Sequence, residues 1–244
     1  MNRVTIHIYG SLKDYSGKTE IEAELFLNPS VKDVIESYGV PHVAVFGLHV
    51  NDKPVQLRYN ISNGDRIEVF PQGESELENH PFNIRAPDQL PTRFIADVHL
   101  GKTARNLRLM GFDTVYSNNA EDHNIVKKAV EENRSVLTRD LGLLKNGDLI
   151  FGYWLRSTDS FKQTLEIMRY FSLIGKTKPF TRCLECNGRM MAAKKESIRD
   201  DLPHRVKQSF NEFKQCADCR RVYWKGTHYK KLMRKVCDIE DQLK

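Results

Sequence analysis

Apolar and polar side chains alternate through VTIHIYGSL, from Val4, and again through EIEAELFL, from Glu20, the period-two pattern of half-buried strands. The intervening DYSGKT supplies the turn of a hairpin. In VKDVIESYGV the spacing lengthens: Val31, Val34, Ile35 and Tyr38 recur as one face of a helix, Asn28–Ser30 supplies a cap and proline turn before it, and Gly39 can end it. VAVFGLHVND, PVQL and GDRIEVFP return to short strands, with Gly64 and Asp65 turning into the last.

Over residues 1–72 the order strand, strand, helix, strand, strand is that of a β-grasp (α+β) domain. Residues 73–92 are charged and proline-containing without sustained periodicity, and read as a linker. From Arg93 strands and helices alternate: RFIADV, GKTARNLRLMG, DTVYS, DHNIVKKAVEEN, SVLTRD and later SFKQTLEIMRYF. That alternation predicts an α/β domain over 93–178, with a parallel sheet and right-handed crossovers. Residues 179–235 form a separate cysteine-bearing segment, and 236–244 a C-terminal tail.

Charge sharpens this division. The formal charge of +6 over 244 residues hides a net −5 in residues 1–80, +4 in 81–181 and +9 in 182–235. A basic rear suits a polyanion such as RNA, although a solvated basic face has the same composition. No apolar run approaches the roughly 18 residues of a membrane span, and the N-terminus alternates like a strand instead of carrying a signal-peptide core, so the expected compartment is the cytoplasm and no membrane partner is expected.

The candidate chemistry lies at strand ends. Asp97 follows the first strand of the α/β segment, Asp122 opens the helix after the second, and Asp140 follows the third. In a parallel sheet these positions share the carboxyl edge, where open α/β sheets bind ligands. Like charges placed together favour a cation between them, and hard oxygen ligands suit Mg²⁺ or Mn²⁺. Each acid taken alone also reads as a cap or turn residue, Glu121 competes with Asp122, and Asp159 reads most simply as a helix cap. Lys102, Arg105 and Arg108 recur at three-residue spacing after Asp97, while Leu100, Ala104, Leu107 and Met110 form the buried stripe. With Arg139 they suit phosphate oxygens, or equally internal ion pairing.

The cysteines at 183, 186, 216 and 219 form two Cys-x-x-Cys knuckles separated by 29 residues, the pattern of a closed Cys₄ Zn²⁺ site. Cys237 is left over. Behind the second knuckle, Tyr223, Trp224, Lys225 and His228 mix aromatic and basic groups suited to RNA bases and phosphates. Tyr223 and Trp224 also suit the small core of a zinc ribbon, and with four thiolates in place His228 is not needed as a zinc ligand.

Two resemblances carry these readings further. NGDRIEVFP resembles the ubiquitin-like sulfur carriers, but the chain runs on through QGESELENHPF without their terminal Gly-Gly, so their chemistry does not transfer; a non-catalytic module that docks a protein partner or positions substrate is expected, with a purely structural role as the alternative. FIADVHLGKTARNLRLMGFDTVY, EDHNIVKKA, RSVLTRDLGLL and the later YWKGTH resemble the PIN-like RNase family named after the C-terminal domain of the Mut-seven exonuclease. That resemblance implies metal-dependent hydrolysis of RNA phosphodiesters, with Asp97, Asp122 and Asp140 at the family's acidic positions and Arg108 and Arg139 at its recurrent arginines. His99 departs from the pattern.

The sequence therefore predicts a β-grasp domain, a PIN-like ribonuclease domain with catalytic Mg²⁺ or Mn²⁺, and a zinc ribbon assisting RNA binding. The expected partner is RNA, single-stranded or structured, tRNA and rRNA included. The alternative is a non-enzymatic RNA-binding adaptor with a structural acidic cluster.

Overall fold

A computed structural model of the chain describes residues 2–72, 84 and 90–244. Most of the expected linker lies outside the described residues. Two compact units emerge: Met1–Pro91 with Asp140–Trp154, and Thr92–Arg139 with Leu155–Lys244.

The first unit holds β1 (Asn2–Ile8), α1 (Lys13–Ser16), β2 (Glu20–Leu25), α2 (Val31–Ser37), β3 (Gly47–Val50), β4 (Lys53–Pro54) and β5 (Arg66–Phe70). The sheet order is β2-β1-β5-β3-β4, with β1 antiparallel to β2 and parallel to β5. This is the expected β-grasp arrangement. Val4, Ile6 and Ile8 alternate into a core with Ile21, Val34, Ile35, Leu48 and Ile67. A capping box starts α2: Ser30 Oγ accepts from the Asp33 amide, and the Asp33 carboxylate accepts from the Ser30 amide.

Two details depart from the period-two reading. The expected strand PVQL leaves β3 after the Val55 amide, which donates to Leu48 O at 3.0 Å, because the next carbonyls serve a helix: Leu57 O and Tyr59 O accept from Lys32 N and Val31 N, orphan donors of the first turn of α2. The start of VAVFGLHVND instead forms a 3₁₀ turn, His42–Ala44, behind Pro41.

In the second unit the chain builds β6 (Phe94–Ala96), α3 (Gly101–Leu109), β7 (Thr114–Tyr116), α4 (Asp122–Glu131) and β8 (Ser135–Thr138). β6 pairs in parallel with both β7 and β8, setting Ile95 opposite Val115 and Val136, as the alternating pattern predicts. Phe94 is buried edge-on against Phe112 and Phe171. The segment Asp140–Trp154, grouped with the first unit, carries α5 (Leu141–Leu144) and β9 (Gly152–Trp154).

From Leu155 the second unit resumes with α6 (Ser160–Tyr170), β10 (Met190–Ala193), α7 (His204–Ser209), β11 (Phe213–Cys216), β12 (Val222–Trp224) and α8 (Thr227–Asp241). β10, β11 and β12 form an antiparallel sheet over a small core of Ile198, Leu202 and Phe213. The expected tail 236–244 is mostly the end of α8. No glycine or proline follows Gly226, and Leu232, Val236 and Ile239 keep helical spacing, the last two buried. Among the described residues no helix is long and apolar enough to cross a membrane.

Candidate functional site

Asp97 ends the strand flanked on both sides by parallel partners. Its amide donates to Leu137 O of β8 at 3.0 Å. Its side chain caps the 3₁₀ turn Val98–Leu100 leading into α3, with Oδ1 accepting from the Val98 amide. The other oxygen, Oδ2, accepts from Thr138 Oγ1 at 2.8 Å. Asp97 is only 5% exposed, and no lysine or arginine among the described residues pairs with it. A carboxylate offers about four acceptor positions, so two neutral donors leave capacity for a cation. A buried anion lacking a protein countercharge favours such a cation, and carboxylate oxygen fits a hard divalent ion. Close packing fixes the turn: Tyr116 Oη donates to Val98 O at 3.0 Å, and a Cβ on Gly101 would meet that Oη at 2.7 Å.

The other expected acids occupy different settings. Asp122 is exposed in the first turn of α4, but Glu121 is the N-cap residue, so Asp122 is not the cap. It makes no hydrogen bond or ion pair with a described residue. Asp140, exposed, starts α5, its Oδ1 accepting from the Gly142 amide at 2.7 Å, and it belongs to the segment grouped with the first unit. Asp159 caps α6 through the amides of Phe161 and Lys162, its simpler reading. Among the described residues, the side chains gathered within reach of one metal ion are those of the four cysteines.

The basic ridge expected on α3 is split. Lys102 is exposed, and Arg105 pairs with Glu185 at 2.6 Å. Arg108 is 4% exposed and donates to three backbone carbonyls, Thr114 O at 2.8 Å, Leu184 O at 3.2 Å and Glu185 O at 2.8 Å. These bonds tie its guanidinium to the backbone of β7 and of the first knuckle. Burial pulls its pKa down, opposed by nearby thiols and Glu185. Three-residue spacing misleads here because α3 buries more than one face. Thr103 and Asn106 also turn inward, bonding Gln163 and Thr164 of α6. Arg139 stays exposed after β8.

The knuckles assemble as their spacing predicts. Cys183 Sγ lies 3.7 Å from Cys219 Sγ, Cys186 Sγ lies 3.4 Å from Cys216 Sγ, and all four sulfurs fall within 4.8 Å of one another. Zn–S bonds of about 2.3 Å put tetrahedral sulfurs about 3.8 Å apart, so the four thiols fit zinc. Their electrostatics point the same way. Burial raises the Cys183 thiol, but hydrogen bonds from Tyr223 and the backbone outweigh it and bring the group to about 7. Burial and the neighbouring sulfurs push Cys219 up to about 12. The Cys183 thiolate forms readily, whereas Cys216, also raised by burial, and Cys219 favour ionisation only beside a cation.

Tyr223 and Trp224 are committed to the ribbon. Tyr223 Oη lies 3.2 Å from Cys183 Sγ, and Trp224 packs on the Ile198–Leu202–Phe213 core. Lys225 pairs with Glu212, while His228 is exposed on α8. The apolar pattern gave no sign of Asp113. It accepts hydrogen bonds from buried Arg134 at 2.7 Å, Arg182 at 3.2 Å and Asn187 at 2.7 Å. Burial opposes ionisation of Asp113, but those bonds and charges hold its carboxyl below the usual range.

Residues 92–236 match the family model described as Mut7-C RNAse domain, and residues 1–76 match the one described as Mut7-C ubiquitin. No curated protein matches. Among solved structures, SAMP1 from Haloferax volcanii is 11% identical, with a TM-score of 0.25, covering 30% of this chain and 99% of its own. A protein assigned as molybdopterin converting factor, subunit 1, from Pyrococcus furiosus is 22% identical, with a TM-score of 0.25, covering 29% of this chain and 98% of its own.

Proposed function

Because the chain belongs to the Mut7-C RNAse domain family, we propose that it is a metal-dependent ribonuclease hydrolysing RNA phosphodiester bonds in the cytoplasm. The observation that carries the reading is Asp97, a buried carboxylate at the carboxyl end of the middle strand, held by neutral donors and with no lysine or arginine paired to it among the described residues.

In this reading Asp97 anchors a Mg²⁺ or Mn²⁺ ion, with Asp122 and Asp140 as the further acids the sequence assigns. When bound, such an ion lowers the pKa of water and offsets charge on the phosphate. Thr138 orients the anchoring carboxylate. Lys102, Arg139 and the exposed groups Lys225 and His228 supply phosphate contacts, while Arg108, Tyr223 and Trp224 hold the fold that presents them. Hydrolysis adds water oxygen to phosphorus, breaks one P–O ester bond and returns the proton to the leaving oxygen.

Purified chain incubated with single-stranded and structured RNA, with Mn²⁺ or with chelator, tests this. Cleavage with Mn²⁺ that chelator abolishes supports the reading. RNA binding without cleavage under any divalent metal would favour the non-enzymatic adaptor.

A further inference from the structure

The Mut7-C RNAse match spans residues 92–236, yet Asp140–Trp154 within it groups with the β-grasp unit. His42 is one tie between them. It lies in the 3₁₀ turn after α2 and is 4% exposed. Its Nδ1 lies 2.5 Å from Glu36 Oε1, which also accepts from the His42 amide at 3.3 Å. Its Nε2 lies 2.8 Å from Leu149 O. A carbonyl can only accept, so Nε2 must carry a proton and donate to Leu149. The Glu36 carboxyl fixes the ring through Nδ1 whichever of those two atoms holds the shared proton.

A second contact lies at the last residue of the segment. Tyr15 of α1 packs on Trp154 of β9 with ring centroids 5.2 Å apart. Close backbone approach supports Tyr15, since a Cβ on Gly39, at φ +100°, would meet Tyr15 O at 2.8 Å. Ahead of both contacts, at the start of the same segment, lie α5 and its cap Asp140, which follows the last residue of β8 by two positions.

We propose that the β-grasp unit is a positioning element of the ribonuclease, with His42 as its positioning residue. By holding Leu149 it restrains the segment whose first residue is Asp140. The inference rests on the proposed role of Asp140 and gives the β-grasp unit a task inside its own chain. His42 touches neither substrate nor metal and acts through the segment it holds.

The test compares the full chain with His42→Asn and His42→Gln. Asn can keep a partner for Glu36 but cannot reach Leu149, whereas Gln places an amide donor near the position of Nε2. Backbone amide exchange is read over residues 141–152, with β1 and β5 as the control for intact folding, and RNA cleavage is measured in parallel. We expect His42→Asn to speed exchange in 141–152 at least about tenfold with β1 and β5 unchanged, and to lower kcat about tenfold to a hundredfold at nearly constant KM. His42→Gln should restore much of both. Unchanged exchange in His42→Asn, or faster exchange with unchanged kcat, would overturn the proposal. Failure of the unmodified chain to cleave RNA would instead remove the ribonuclease reading, and exchange alone would then decide whether His42 holds the segment.

Discussion

Thr138 Oγ1 donates to Asp97 Oδ2 at 2.8 Å, joining the ends of two neighbouring parallel strands through a residue with no solvent exposure. Hydrogen bonds to charged groups contribute about 1.5–3 kcal/mol, and an acceptor left unsatisfied costs its desolvation. Thr138→Val should therefore lower stability by about 2 kcal/mol and raise the Mn²⁺ concentration that gives half-maximal cleavage. Thermal unfolding and a metal titration measure both, whereas Thr138→Ser should remain close to the unmodified chain.

Arg108 separates a structural from a substrate role. Its guanidinium joins β7 to the first knuckle through three carbonyls. Arg108→Met should cost about 2–4 kcal/mol, since the carbonyls lose a buried charged donor, and should weaken zinc retention. The KM for RNA of the protein that remains folded should stay within about twofold. A large KM change with unaltered unfolding temperature would mean that Arg108 meets the substrate.

Asp113 predicts a pH dependence. Its carboxyl is held below the usual range by Arg134, Asn187 and Arg182, so folding favours the ionised form. Its contribution is fully present above the unfolded-state pKa and is lost as pH falls through the lower folded value. Stability should accordingly fall on acidification below about pH 4, and Asp113→Asn should flatten that part of the profile. At neutral pH the same variant takes from Arg134, its side chain 4% exposed, one of the two carboxylates it meets at 2.7 Å, Glu132 being the other, at a cost of about 1.5–3 kcal/mol. Denaturant unfolding at pH 7 and pH 3 compares the two states.

The cysteine centre predicts a metal content. The folded chain should hold about one zinc per molecule, and Cys183→Ser or strong chelation should remove it and melt the sheet of β10, β11 and β12. Elemental analysis with thermal unfolding checks this. Retention of zinc by Cys183→Ser would exclude the four-sulfur assignment.

Much of this architecture was legible because it rests on short-range pattern. Period-two alternation marked β1 and β2, helical spacing and the Ser30 cap marked α2, and two knuckles with fixed internal spacing announced the sulfur cluster. Asp97 and Asp159 were legible because strand ends and helix starts carry local signals. What escaped depends on partners distant in sequence. Arg108 sits on the spacing of a basic ridge, yet its carbonyl partners include residues 76 and 77 positions away. His42 lies in the apolar run PHVAVFG, and only its bond to Leu149, 107 positions on, distinguishes it from an ordinary core histidine. Asp113 reads as the start of a strand, because Arg134 and Arg182 come from other elements.

The central claim is that Asp97 anchors catalysis, and cleavage by Asp97→Asn tests it most directly. The substitution keeps side-chain size and an oxygen for the Val98 amide, and the Thr138 hydroxyl can accept from the new amide nitrogen, while the charge that would bind a divalent ion is removed. With Mn²⁺ and single-stranded RNA, we predict a fall in kcat of at least about a hundredfold with an unfolding temperature close to that of the unmodified chain. Cleavage by a correctly folded Asp97→Asn protein at the unmodified rate would contradict the account.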